Sequence, residues 1–225
     1  MTSADASRPP VTQAPVLVTG AAGFLASHLV AQLLARGYRA RGTVRSLKKE
    51  KDLAPLRALP GAAERLELVE ADLLAEGAFD AAAQGCEIVM HTASPYVLDA
   101  KDPQKDLVEP AVKGTESVLS ACKKAGTVRR VVLTSSMAAI TDEPESDRVL
   151  TEEDWNTRSS LDRNPYYYSK TLAERAAWEY VEREAHDFDL VVVNPFLVIG
   201  PSIGPGLNTS NQMFVDILGG PTPGS

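Results

Sequence analysis

Cysteine is nearly absent from this sequence: Cys86 and Cys122 are the only two in 225 residues. A chain so poor in thiols has neither a disulfide framework nor a cysteine-based metal site, and a reducing, cytoplasmic compartment suits it. Basic residues do not dominate either. Lys and Arg number 23 against 30 Asp and Glu, a net charge of −7, which argues against nucleic acid or an anionic membrane as partner. No run of about eighteen apolar residues occurs, and the first fourteen residues lack the apolar stretch of a secretory signal. Residues 1–14 are expected to form a disordered tail. Internal repeats and a strict GxGxxG are also missing.

What remains is an alternation of short β-branched runs with segments of helical period, the mark of a parallel sheet with crossover helices. Strands are expected at Val16 to Thr19, Tyr38 to Val44, Leu66 to Glu70, Ile88 to Thr92, Val131 to Ser135 and Leu190 to Asn194. Between them, Phe24 to Arg36 carries Leu25, Leu29, Leu33 and Leu34 at one-face spacing and stops at Gly37. Leu47 to Leu59, Asp106 to Ala125 and Tyr166 to Glu184 read as further helices. Arg39 and Arg41 alternate along the second strand as edge charges. Six strands in this order predict an α/β, doubly wound dinucleotide fold. It is expected to occupy residues 15–200, with residues 201–225 the start of an incomplete substrate-binding region. From Pro195 onward the pattern dissolves into Gly and Pro, and no element is expected there.

Val16-Leu-Val-Thr-Gly20-Ala-Ala-Gly23-Phe-Leu-Ala26 leaves a strand, turns on glycine and enters a helix. Gly20 allows the turn, Gly23 lets a pyrophosphate approach the helix N-terminus, and Ala26 permits close packing on the sheet. Arg39 to Lys49 contains five basic residues and no acid. An Asp or Glu that would hold the ribose hydroxyls of NAD is therefore missing, whereas Arg45 could grip a 2′-phosphate, helped by Lys48 or Lys49. The alternative is a solvated basic helix start. Asp72 either accepts an adenine amino hydrogen or is a helix N-cap for Leu73 onward. His91-Thr92-Ala93-Ser94-Pro95 offers a small-residue turn beneath a ribose, and His91 reads as a packed strand residue.

Tyr166 and Lys170 lie one helical turn apart on one face. An ammonium there stabilises the phenolate and brings the tyrosine proton into use as a general acid. Thirty residues earlier a strand ends in Ser135-Ser136, where ligands bind in such folds. The pleat lets only one hydroxyl point inward. Ser136 is preferred as the group that orients a carbonyl, turn-forming serines being the alternative. Tyr167, Tyr168 and Trp155 read as packing residues.

With these motifs in this order, the chain resembles the extended short-chain dehydrogenase/reductases over about Val16 to Leu218. Within them it resembles the branch of dihydroflavonol reductases, cinnamoyl-CoA reductases and yeast-type aldehyde or ketone reductases. Gly42-Thr-Val-Arg45, Val132-Leu-Thr-Ser-Ser136 and Asn194-Pro-Phe-Leu-Val-Ile-Gly-Pro201 carry the likeness further. The resemblance implies a Rossmann-type fold and NADP(H) held by Gly20, Ala22, Gly23, Phe24, Leu25, Arg45, Lys49, Asp72, Leu73, Thr92, Ala93, Ser94, Tyr166, Lys170, Pro195 and Val198. It implies hydride transfer to a small-molecule carbonyl substrate, with Ser136 orienting, Tyr166 donating the proton and Lys170 holding the ribose. It also implies a monomer or homodimer.

Ala111 stands where epimerase-type relatives often have an asparagine, which favours the reductases. Relatives also continue into a C-terminal substrate-binding region, whereas this sequence stops at Ser225. An NADP-linked epimerase or dehydratase of a nucleotide sugar or steroid is the second enzymatic reading, and a non-catalytic NADP(H)-binding protein the third. Asp142, Glu143, Glu145, Glu152, Glu153 and Asp154 make one loop acidic, which disfavours an anionic substrate such as a CoA thioester.

Overall fold

The computed structural model describes residues 11–95, 100–143, 148–185 and 187–219. The expected tail over residues 1–10, Glu145 and the final Gly-Pro run over residues 220–225 lie outside them. Residues 11–14, also assigned to the tail, are seated instead: Val11 N–H donates to the Tyr38 hydroxyl at 3.1 Å and Thr12 is buried.

Among the described residues six strands form one parallel sheet in the order β3-β2-β1-β4-β5-β6. They are β1 (Val16–Val18), β2 (Ala40–Val44), β3 (Leu66–Glu70), β4 (Ile88–His91), β5 (Arg130–Thr134) and β6 (Asp189–Val193). The helices are α1 (Phe24–Ala35), α2 (Glu50–Arg57), α3 (Ala62–Arg65), α4 (Asp80–Ala83), α5 (Glu109–Ala125), α6 (Pro165–Glu184) and α7 (Thr209–Gly219). The order reverses between β1 and β4. A crevice therefore opens at their C-terminal ends, where the crossovers diverge to opposite sides.

Parallel strands covered on both faces must be apolar at successive positions, and β1 is: Leu17 belongs to one core, Val18 to the other. Leu17, Val89, Val131 and Leu133 pack with Phe79, Val118, Leu119 and Ala177 beneath α4, α5 and α6. On the opposite face Val18 and Val44 meet Ala26, Val30, Leu34, Leu53 and Leu56 from α1 and α2. The buried stripe of α1 is thus Ala26, Ser27, Val30 and Leu34, rotated from the expected leucine stripe because small Ala26 and Ser27 let the helix lie close to the sheet. Leu29 and Leu33 flank it, half-buried.

Several expectations are corrected. Strand β2 is interior, so Arg41 is no edge charge: its guanidinium pairs with Glu67 at 2.7 Å and donates to the carbonyls of Ala82 and Gln84 at 2.9 and 2.7 Å. A π-helical turn, Gln104–Val108, precedes α5. Helix α7 occupies the stretch read as patternless, its apolar side chains largely exposed.

Candidate active site

The turn after β1 is held by its neighbour β2. Gly20 N–H donates to Thr43 Oγ1 at 3.0 Å and Ala21 N–H to the Thr43 carbonyl at 2.8 Å. Gly20 has φ +67°, and a Cβ there would stand 3.2 Å from Ala93 Cα, so the turn after β4 lies directly against it. At Gly42 a Cβ would fall 2.6 Å from Ala21 Cβ, which is why β2 closes on the turn only with glycine. Helix α1 then starts with no side-chain cap and no acid in its first turn. Its first N–H groups are left open to an anion.

Beside this turn lies a cavity of about 550 Å³. Its walls include Gly20, Ala22 and Gly23, then Arg45 and Lys49 after β2, Asp72 and Leu73 after β3, and Thr92, Ala93 and Ser94 after β4. These expected cofactor residues come together from four separate chain segments. Phe24, Leu25, Tyr166, Lys170, Pro195 and Val198 do not line it. Phe24 instead stacks edge-on with His28, and the Val198 carbonyl accepts from Asn208 Nδ2 at 2.7 Å. Asp72 lines the cavity and its Oδ1 accepts from Leu74 N–H at 3.0 Å, so it caps a turn rather than a helix. Thr43, Ser46, Leu53 and Phe79 are among the further residues of the wall. Nothing local distinguished them, since each contributes only once β2, α2 and the segment before α4 have packed.

A buried network underlies the crevice. Thr19 Oγ1 accepts from Thr92 N–H and Ala93 N–H, both at 3.0 Å, and meets His91 Nδ1 at 2.8 Å. With two N–H groups already aimed at this oxygen, its own proton goes to Nδ1, so His91 is neutral and Nδ1 is the acceptor. Burial, reinforced by the Lys170 charge, lowers the His91 pKa to about 3. His91 is the packed strand residue its position implied.

Helix α6 begins at Pro165 after Asn164, which takes the left-handed conformation (φ 51°). Tyr166 is half-buried in its first turn and Lys170 buried in its second. Lys170 Nζ sits 5.7 Å from the Tyr166 ring centroid and donates to Ser94 Oγ at 2.7 Å. The lysine therefore joins the tyrosine to the edge of the cavity. Desolvation pushes the Lys170 pKa down to about 8.

At the end of β5 the two serines part. Ser135 is buried and donates to Glu174 Oε2 at 2.5 Å, whereas Ser136 Oγ accepts from Ala138 N–H at 3.2 Å as the cap of a 3₁₀ turn, Met137–Ala139. Ser136 is thus the serine whose hydroxyl is not consumed by the core. The 3₁₀ turn is fastened to α6 by Thr171 Oγ1, near the Ala138 carbonyl at 3.4 Å, and to the chain after β6 by Met137 N–H on the Pro195 carbonyl at 3.0 Å. Pro195 accordingly belongs to the serine side of the crevice.

The loop before α6 is not the bare anionic surface its composition suggested. Arg163 pairs with Asp142 at 3.0 Å and Glu143 at 3.1 Å, Arg158 with Glu143 at 2.5 Å, and Arg148 with Asp154 at 2.9 Å. These pairs neutralise Asp142, Glu143 and Asp154, while Glu152 and Glu153 stay exposed, so the loop is only partly compensated. Trp155 packs under the Arg175 guanidinium, 4.7 Å from its ring centroid.

Strand order, glycine turn and crevice define a Rossmann-type, dinucleotide-binding fold. Residues 16–217 match the NAD dependent epimerase/dehydratase family, and the chain belongs to it, among the extended short-chain dehydrogenase/reductases. It is similar to a cinnamoyl-CoA reductase of Medicago truncatula, 47% identical over 210 residues, covering 91% of this chain and 64% of that one. A dihydroflavonol 4-reductase of Zea mays is 42% identical, with 92% and 59% covered. Among solved structures, Gre2 of Candida albicans in complex with NADPH has a TM-score of 0.79 at 38% identity, over 89% of this chain and 64% of that chain. Vestitone reductase from alfalfa gives 0.74 at 32%, over 90% and 63%. The chain thus spans less than two-thirds of the length of these relatives. Among the described residues no helix is long and apolar enough to cross a membrane, and no group of His, Cys, Asp and Glu is placed to hold a metal ion.

Proposed function

We propose that the chain is an NADPH-dependent carbonyl reductase acting on an aldehyde or ketone. The observation that carries this reading is the continuity from cavity to helix: Lys170 bonds Ser94 on the cavity wall and lies one turn from Tyr166. The residues fit a nicotinamide dinucleotide phosphate. The uncapped α1 N-terminus and Gly23 suit a pyrophosphate, and Arg45, which pairs with no carboxylate among the described residues, suits a 2′-phosphate. When bound, NADPH supplies the hydride.

The side chains supply the rest. Ser136 hydroxyl donates a hydrogen bond to the substrate carbonyl oxygen and fixes its direction. Tyr166 hydroxyl gives its proton to that oxygen as negative charge develops there. Lys170, charged below its depressed pKa, draws the phenol toward phenolate and, bonded to Ser94 on the cavity wall, is the residue that would hold a ribose hydroxyl of the cofactor. Several relatives are reductases by name, including dihydroflavonol 4-reductases, and a similar solved structure is a yeast methylglyoxal/isovaleraldehyde reductase with NADPH, which supports the reaction class.

The test is NADPH oxidation by the purified chain, followed by absorbance, across aldehydes and ketones, with Tyr166→Phe alongside. Turnover should fall at least about 100-fold in the variant, the scale of a lost general acid, while NADPH affinity stays within about twofold. Equal turnover in both proteins, or binding of NADPH with no turnover of any carbonyl, would overturn the reading.

A further inference from the structure

The face of α6 that bears Tyr166 and Lys170 continues to Glu174, again four residues on. This carboxylate is 5% exposed and no lysine or arginine pairs with it among the described residues. A buried carboxylate is costly unless its oxygens are met by donors, and Glu174 Oε2 is met twice: by Ser135 Oγ at 2.5 Å and by Asn194 Nδ2 at 2.7 Å. Asn194 spends the same amide group on the Ser136 carbonyl, at 3.2 Å. One side chain thereby ties the end of β5, the end of β6 and the catalytic face of α6. The knot closes on the backbone of Ser136 itself.

No shift of Lys170 by Glu174 accompanies this, since desolvation is the cause of the lysine's lowered pKa. The carboxylate acts through geometry. Ser136 and Tyr166 come from segments thirty residues apart in sequence, and a carbonyl oxygen must be reached by both hydroxyls at once. Misplacement of such groups by about 1 Å costs on the order of 100-fold in rate. We propose that Glu174 is a positioning residue that, through Ser135 and Asn194, fixes the Ser136 segment against the Tyr166–Lys170 face of α6. This rests on the reductase reading for its kinetic consequence but not for its structural one.

The experiment compares Glu174→Ala, Glu174→Gln and Ser135→Ala with the unchanged chain in two readouts. The first is kcat and KM for carbonyl reduction beside NADPH affinity. The second is amide hydrogen exchange at Met137, whose N–H reports the Ser136 turn through its bond to Pro195. Glu174→Ala should lower kcat about 10- to 100-fold with NADPH affinity within about twofold, and speed Met137 exchange about tenfold as the turn opens locally. Glu174→Gln, whose amide oxygen accepts from both donors, should recover kcat to within about threefold and restore slow exchange. Ser135→Ala, which leaves Asn194 in place, should fall between them. A Glu174→Ala chain with unchanged kcat and Met137 protection overturns the proposal, as does a Gln variant as impaired as Ala. If the unchanged chain reduces no carbonyl, the reductase reading fails and the exchange data alone decide the role of Glu174. If Glu174→Ala does not fold, Gln and Ser135→Ala carry the comparison.

Discussion

The centre of the sheet and its β6 edge are built from similar residues and treated differently. In β1, Val16, Leu17 and Val18 are at most 1% exposed, while in β6 Val191 and Val193 are 40% and 49% exposed. Leu190 and Val192 of β6 face the α5–α6 core, and their neighbours face the opposite, uncovered side. Phe196 and Ile199 in the following loop and Ile217 and Leu218 of α7 are exposed as well. Polar groups follow the same divide. At the centre the buried polar groups include the titratable His91 and Lys170, both hydrogen-bonded, whereas the buried polar group beyond β6, Asn211, is a neutral amide that clasps the Gly200 backbone at 3.0 and 2.8 Å. The centre is where burial tunes titration, so its chemistry is sensitive to pH in ways the edge is not.

The largest expected effect is at His91. Its folded pKa of about 3 lies below the ordinary 6.5, so the unfolded chain takes up a proton between these values while the native one does not. Stability from this group is full above pH 6.5 and is lost as pH falls toward 3. Between pH 7 and pH 4 the loss amounts to about 3 kcal/mol. His91→Gln keeps an acceptor for Thr19 and removes the titration. Urea unfolding at the two pH values should show the unchanged chain losing about 3 kcal/mol more than the variant, and equal losses would place no proton-excluding site at the centre.

Lys170 gives a smaller effect at the other end of the pH scale. Its folded pKa of about 8 is below the ordinary 10.5, so keeping it charged destabilises the native state below pH 8, and that cost is relieved as pH rises toward 10.5. Relative to Lys170→Met, the unchanged chain should gain about 2 kcal/mol between pH 7.5 and pH 10, read from denaturant midpoints. The same deprotonation removes the charge beside Tyr166, so under the proposed mechanism stability and turnover move in opposite directions above pH 8.

Both groups were placed by sequence, and the reason is local. The β1 and β5 runs are apolar at successive positions because both faces are covered, and the glycine turn, Ser136 and the Tyr166–Lys170 pair are each a few adjacent residues whose spacing sets their geometry. Helix α7 escaped because Met213, Phe214, Val215, Ile217 and Leu218 circle the helix with no buried stripe, leaving no single-face period to read. Thr43, Glu174 and Asn194 escaped for another reason. Ser135 and Glu174 are 39 positions apart, and Gly20 and Thr43 are 23 apart, so their partnership exists only after the sheet has assembled. The pairing of loop acids with Arg148, Arg158 and Arg163 was hidden in the same way.

Two glycines sharpen the contrast at lowest energy. Gly20→Ala forces a side chain into the left-handed region at φ +67°, with Ala93 Cα and Cβ 3.2 Å from the new methyl group. Backbone strain alone costs about 1–2 kcal/mol, and relieving the contact must push the β4 turn, which carries Thr92, Ala93 and Ser94 on the cavity wall. Gly204→Ala, in the loop after β6, adds a methyl group whose nearest neighbour is the Ala22 carbonyl oxygen at 4.0 Å, with no strained φ. Thermal unfolding and NADPH titration of both variants make the test. Gly20→Ala should lose at least about 1–2 kcal/mol and bind NADPH at least about tenfold more weakly, a shift of roughly 1.4 kcal/mol. Gly204→Ala should change neither. Were the two variants to behave alike, the close packing of the β1 and β4 turns would have no part in holding the cofactor, and the division between a tightly built centre and an open edge would not extend to binding.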